Sequence, residues 1–213
     1  MPMQIDKNGN WISLNLNEPI WNHFHTVAPL VVIGTKEYDH YDMAPKHMIT
    51  PLGQDNFFGF VCTPDHATYH NVKREKFFTV SYIQPNQVVL ASLAALPRCG
   101  DKTKTNEITT HLPTTHAEKV DALCIEDAYL LLECKLKDVI DGFGKYSLIA
   151  GEIIHARVMP EALMESESDH AKKIYNMPLL AYIAYGRFAE IKETKAFPFP
   201  KDFSDLPSFK KRR

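Results

Sequence analysis

Five runs of β-branched and aromatic residues, each bounded by turn formers, constrain this chain more than any other feature. They are Leu30 to Gly34, Phe57 to Cys62, Phe77 to Ile83, Ala128 to Leu136 and Leu148 to Val158. Such residues fit the pleated, half-buried surface of a sheet, so each run predicts a strand. Asp141-Gly142-Phe143-Gly144 lies between the fourth and fifth runs, and its Asp-Gly step suits a hairpin. Helical signals are sparser: Asp65 to Arg74 after Thr63-Pro64, Asn86 to Ala95 before a proline, His116 to Ala122 after Thr114-Thr115, and Glu167 to Tyr175. The regular strand–helix alternation of a doubly wound parallel sheet is missing. The expected class is therefore mainly β, a closed antiparallel barrel with short peripheral helices.

A chain of 213 residues can bury a sizeable core, and a single domain over 1–213 is the expectation. Residues 1–25 read as an N-terminal extension and 193–213 as an extended C-terminal arm, because the proline-rich stretch from Phe197 to Pro207 suits neither a regular helix nor a central strand. Pro97 to Pro113 reads as an exposed polar loop. The formal net charge of -2 argues against a nucleic-acid partner, and Lys210-Lys211-Arg212-Arg213 reads as a solvated tail. Cys62, Cys99, Cys124 and Cys134 form no C-x-x-C pair and are too scattered for a disulfide framework, which fits a reducing, cytoplasmic setting. Met1 to Trp11 lacks the apolar core of a signal peptide, and no stretch approaches the ~20 apolar residues of a membrane span.

The order of segments resembles the flavin reductase-like, FMN-binding split-barrel family. Leu30-Val31-Val32-Ile33-Gly34-Thr35 followed by Met43-Ala44-Pro45-Lys46-His47-Met48-Ile49-Thr50-Pro51 is similar to the family's opening, where a second strand begins at Ala-Pro. Phe57 to Thr63, then His66-Ala67-Thr68-Tyr69-His70-Asn71-Val72, resembles its strand and x-x-Thr-x-x-Asn-Ile helix. Glu75 to Ser81 resembles the Gly-Glu-Phe-Val-Val-Asn strand, Gly151 to Val158 the Gly-Glu-Val strand, and Tyr185-Gly186-Arg187-Phe188-Ala189 the late Gly-Gly-Arg-Tyr-Ala segment. His47 stands where many relatives have Ser, and Gly53 to Phe57 replaces their Ser-x-x-Pro-Pro. The resemblance spans roughly residues 25–192 and implies a six-stranded Greek-key split β-barrel with peripheral helices, a homodimer, and FMN near the subunit interface.

A flavin site needs donors for the phosphate, amides facing the ring edge and a dry face for hydride transfer. Under the resemblance, Pro45, Lys46, His47, Met48, Ile49 and Thr50 contact the cofactor; taken alone, they read as an edge strand with ordinary surface groups. Thr63, Pro64, His66 and Thr68 form the candidate phosphate end, since a helix N-terminus offers free N–H groups to an anion, although Thr63 could equally be a plain N-cap. His155 is a strand histidine satisfied locally or, as the resemblance suggests, a group lining the flavin face that orients the nicotinamide. Arg187 reads first as a salt-bridged surface group, with a cofactor phosphate as the alternative. His66 and His70 share a helical face, but no carboxylate or Cys completes a metal site.

The expected activity is FMN-dependent oxidoreduction with NADH or NADPH as transient donor, the electrons passing to free flavin, a small acceptor, another protein or a monooxygenase. An FMN-binding electron carrier without a nicotinamide site is the alternative, and a small-ligand barrel without flavin the third reading.

Overall fold

The computed structural model describes residues 4–5, 9–95, 111–165, 169–184 and 186–196. After a small ribbon of β1 (Gln4–Ile5) and β2 (Ile12–Ser13) come β3 (Val27–Pro29), β4 (Val31–Glu37), β5 (His40–Lys46), β6 (Ile49–Pro51) and β7 (Phe57–Cys62). Helix α1 (Ala67–Glu75) leads to β8 (Phe77–Tyr82), α2 (Val88–Ala94), β9 (Thr114–His116) and β10 (Leu123–Ile125). The long strands β11 (Leu130–Phe143) and β12 (Tyr146–Val158) follow, then α3 (His170–Asn176), β13 (Leu179–Ile183) and β14 (Arg187–Ile191). All five apolar runs are strands. Among the described residues no helix is long and apolar enough to cross a membrane.

The main sheet is antiparallel, in the order β5-β4-β8-β11-β12-β7-β6. Its two edge strands, β5 and β6, are consecutive in the chain and joined only by His47-Met48, and the Met48 carbonyl accepts from Val61 N at 2.9 Å. Residues 40–51 thus form one bent strand that pairs with β4 on one side and β7 on the other, closing a six-stranded barrel. The crossing is Greek key: α1 carries the chain from β7 over the barrel end, so that β8 pairs with β4 and β11 rather than with β7.

Side chains at every second position of these strands fill the barrel. Val31 and Ile33, Phe58 and Phe60, Phe78 and Val80, and Leu132 and Cys134 meet inside, with Tyr69 and Val72 of α1 closing the end. Gly151 lets the Phe78 ring pass: a Cβ there would lie 2.5 Å from Phe78 Cζ. The opposite faces are covered too. Val32, Met43, Ile83, Ala91, Leu123, Ile125 and Leu180 build an outer layer under α2, the β9–β10 hairpin and β13, whose own sheet has the order β14-β13-β3. Between the layers, Thr79 Oγ1 donates to the Leu123 carbonyl at 2.5 Å and Ser81 Oγ accepts from Ile125 N at 2.9 Å, satisfying buried polar groups.

Several sequence expectations are corrected. His116 to Ala122 is no helix: β9 ends at His116 and a turn follows. The buried carboxylate of Glu133 accepts from the N–H groups of Glu118, Lys119 and Val120 at 2.9, 2.7 and 3.1 Å, a distant partner that replaces the local helical bonds. The second strand does not begin at Ala44-Pro45 but ends there, since β5 pairs with β4 from His40 to Lys46; Pro45 is tolerated on this sheet edge. The fourth strand runs on to Phe143, beyond its apolar stretch, because past Lys135 it leaves β8 and pairs only with β12. The hairpin turn falls at Gly144-Lys145, with Gly142 and Gly144 at φ +109° and +65°. Most of Pro97 to Pro113, Glu167, Tyr185, the Phe197 to Pro207 stretch and the basic tail lie outside the described residues.

Candidate functional site

The bent strand distributes its side chains by simple alternation. Lys46 faces the α1 side of the sheet and His47 the α2 side, so adjacent residues serve two different environments.

On the α1 side, Lys46 Nζ lies 3.5 Å from His66 Nδ1 at the first turn of α1. His66 is the N-cap residue, and its side chain makes no capping bond to the helix. A cation and an uncapped helix start therefore meet at one place, an arrangement suited to a phosphate. The Thr63 hydroxyl is buried and donates to Asp65 Oδ2 at 3.3 Å, while accepting from Asp65 N. Thr68 is buried and donates to Asp42 Oδ2 at 3.1 Å. Both hydroxyls are thus committed within the protein. The Pro64 carbonyl lies 2.7 Å from His70 Nε2, which ties the histidine of the helix to the preceding turn.

On the α2 side, a cavity of about 520 Å³ opens between the bent strand, α2 and the β13–β14 hairpin. Pro45 and His47 form one wall, Val88, Val89, Ala91, Ser92 and Ala95 another, and Tyr182, Phe188 and Arg187 the third. The His47 and Tyr182 rings stack at 4.5 Å between centroids and 28° between planes. Burial, with a contribution from the Lys46 ammonium, holds the His47 pKa below the ordinary histidine value. Arg187 is an exposed residue with no carboxylate or hydrogen-bond partner among the described residues. Glu190, on the same strand, pairs with Lys192 at 3.0 Å. Met48, half exposed, and Ile49 and Thr50 continue the bent strand past the corner, with Thr50 Oγ1 donating to the Pro51 carbonyl.

His155 belongs to neither group. The β11–β12 register shifts between Glu133 and Cys134, pairing Cys134 with Ile153 but Glu133 with His155. Ile153 packs on the barrel core, so the bulge turns His155 outward to the Glu118 turn. Its Nε2 lies 3.3 Å from Glu118 Oε2, within ion-pair distance but off hydrogen-bond alignment, and Arg157 Nη1 lies 3.0 Å from Glu118 Oε1.

Sequence reasoning had therefore selected Pro45, His47 and Arg187 of the cavity and Lys46 and His66 of the α1 side, but missed Tyr182, Phe188 and the α2 wall. The Val88-Val89-Leu90-Ala91 run was legible only as a helix, because nothing local states what its outer face will meet.

A flavin reductase like domain model matches residues 24–188. No curated protein matches the chain in sequence. Among solved structures, the chain is similar to 2-nitrobenzoate 2-nitroreductase of Pseudomonas fluorescens at 17% identity, covering 97% of this chain and 100% of that one, with a TM-score of 0.74. Flavoredoxin from Methanosarcina acetivorans is likewise 17% identical over 92% and 100% of the two chains, TM-score 0.73. An FMN-binding protein from Thermus thermophilus, solved with 1-cyclohex-2-enone, is 19% identical over 86% and 98%, TM-score 0.71. These likenesses speak to the barrel, and the domain match speaks to the family: the chain belongs to the flavin reductase like domain family and is an oxidoreductase of that type.

Proposed function

We propose that the protein binds FMN along the bent strand, accepts hydride from NADH or NADPH, and passes the electrons to free flavin, a small acceptor or a partner such as a monooxygenase. The observation that carries this reading is the convergence of Lys46, His66 and the uncapped start of α1 at one side of the strand whose other side opens on an apolar cavity. A single phosphate suits one ammonium, one imidazole and a helix terminus. The backbone from Pro45 to Thr50 is the candidate partner for the polar edge of the ring. Flavin would supply the two-electron hydride chemistry when bound, while the chain's residues bind, orient and exclude water.

A homodimer is part of the proposal. Half-exposed apolar side chains of Met48, Ile154 and Val158 support a second copy covering them. His155 in this reading serves the Glu118 turn, and hydride transfer requires no proton from it. A reducing, cytoplasmic setting agrees with the buried free thiols of Cys62, Cys124 and Cys134.

The test is anaerobic titration of the FMN-loaded protein with NADH and then NADPH, following the oxidised flavin absorbance. Rapid bleaching by either donor is expected and identifies it. Tight FMN binding without bleaching would leave an electron carrier, and no binding would overturn the flavin reading.

A further inference from the structure

The cavity on the α2 side carries more information than a flavin edge requires. Its walls are apolar, and its polar groups are few and chemically distinct. Ser92 Oγ donates to the Val89 carbonyl at 2.7 Å, so that hydroxyl has no proton to offer a ligand. Tyr182 Oη accepts from Gly186 N at 3.4 Å and presents its ring, stacked on His47, to the interior. His47 is held towards its neutral form, so the stack offers a π surface rather than a second charge. Arg187 remains as the cationic lining group, without an ion-pair partner among the described residues. A guanidinium beside an apolar, ring-faced cavity matches a carboxylate on a flat hydrophobic body.

We propose that this cavity binds a small planar aromatic monoanion of the benzoate class, its carboxylate on Arg187 and its ring against the His47–Tyr182 stack. The cavity volume of about 520 Å³ accommodates one substituted ring with room for a second substituent. A nicotinamide ring is the poorer match: it is neutral when reduced and cationic when oxidised, and in neither state does it answer the Arg187 charge. The inference rests on the proposed function only in placing a redox centre beside the ligand; the binding itself follows from the cavity.

Isothermal titration calorimetry of the full chain, with and without FMN, tests it with benzoate and the isosteric neutral benzamide as probes. Benzoate is expected to bind at least about tenfold more tightly than benzamide, the difference collapsing in Arg187→Gln, since a charge-assisted pair of this kind supplies a factor of that order. Val89→Trp, placed at an exposed wall position, is expected to weaken both probes alike by narrowing the cavity. FMN affinity, read separately by flavin fluorescence, is expected to be the same with and without benzoate. Equal binding of the two probes, no binding of either, or displacement of FMN by benzoate would each overturn the proposal; displacement would assign the cavity to the flavin itself. Failure of FMN to bind while benzoate selectivity persists would instead remove the flavin reading and leave this one standing.

Discussion

The barrel interior and the outer layer are built on opposite faces of the same strands, yet only one is packed solid. Inside, Phe58, Phe60 and Phe78 are at most 1% exposed, and even a methyl group at Gly151 has no room. Outside, small residues of α2 and the β13–β14 hairpin stand off from the bent strand and leave the cavity. The difference teaches where stability and ligand binding lie. A closed ring of strands must fill its interior to native density, whereas a covering layer can afford space. Glu133 belongs with the covering layer: it stands between the inward-facing Leu132 and Cys134, and its buried carboxylate organises the turn from Glu118 to Val120.

The comparison breaks most readily at its dense side. Phe78→Ala should cost about 3–5 kcal/mol, because its ring meets Phe60 at 5.2 Å between centroids and no neighbour can collapse into the space. Val89→Phe, at a cavity wall position that is 66% exposed, should change stability by less than about 0.5 kcal/mol. Urea denaturation of the two variants measures both, and equal losses would show that the outer layer is as tightly packed as the barrel. Next in size, Glu133→Ala should lose about 3 kcal/mol, since it removes three charge-assisted bonds and strands the N–H groups of Glu118, Lys119 and Val120. Amide exchange should then accelerate at those three positions first. Unchanged exchange there would mean that the turn holds itself.

The smallest effect concerns His47. Its pKa is lowered chiefly by burial and secondarily by Lys46, so the native state resists protonation more than the unfolded chain does. Below the ordinary histidine pKa of about 6.5 the unfolded state binds the extra proton, and stability falls as pH drops from there towards the lower native value. The imidazole resonance of His47 should titrate with a midpoint below that of an exposed histidine, and His47→Gln should flatten this part of the stability profile. An ordinary midpoint would show that the ring is solvated and that the cavity wall is open.

Much of the barrel was legible because strand formation is written in side-chain alternation, which needs no knowledge of distant contacts. The runs Phe57 to Cys62 and Phe77 to Ile83 coincide with the observed strands Phe57–Cys62 and Phe77–Tyr82 almost residue for residue. The misread helix at His116 to Ala122 shows the limit: its propensities were acceptable, but Glu133 captured its N–H groups from another strand. The candidate site divides in the same way. Lys46 and His47 could be selected by residue type, yet nothing local says that one meets His66 and the other stacks on Tyr182.

The sequence by itself determined the strands, their antiparallel order around the Gly142–Gly144 hairpin and the helix after Thr63-Pro64, because these follow from alternation and turn chemistry within a few residues. Only the tertiary structure decided that residues 40–51 bend to close the ring, that a bulge turns His155 outward to the Glu118 turn, and that Arg187 lines a cavity without a carboxylate partner among the described residues. Those outcomes depend on register and on contacts across many residues of chain, where a shift of one position exchanges the two faces of a strand.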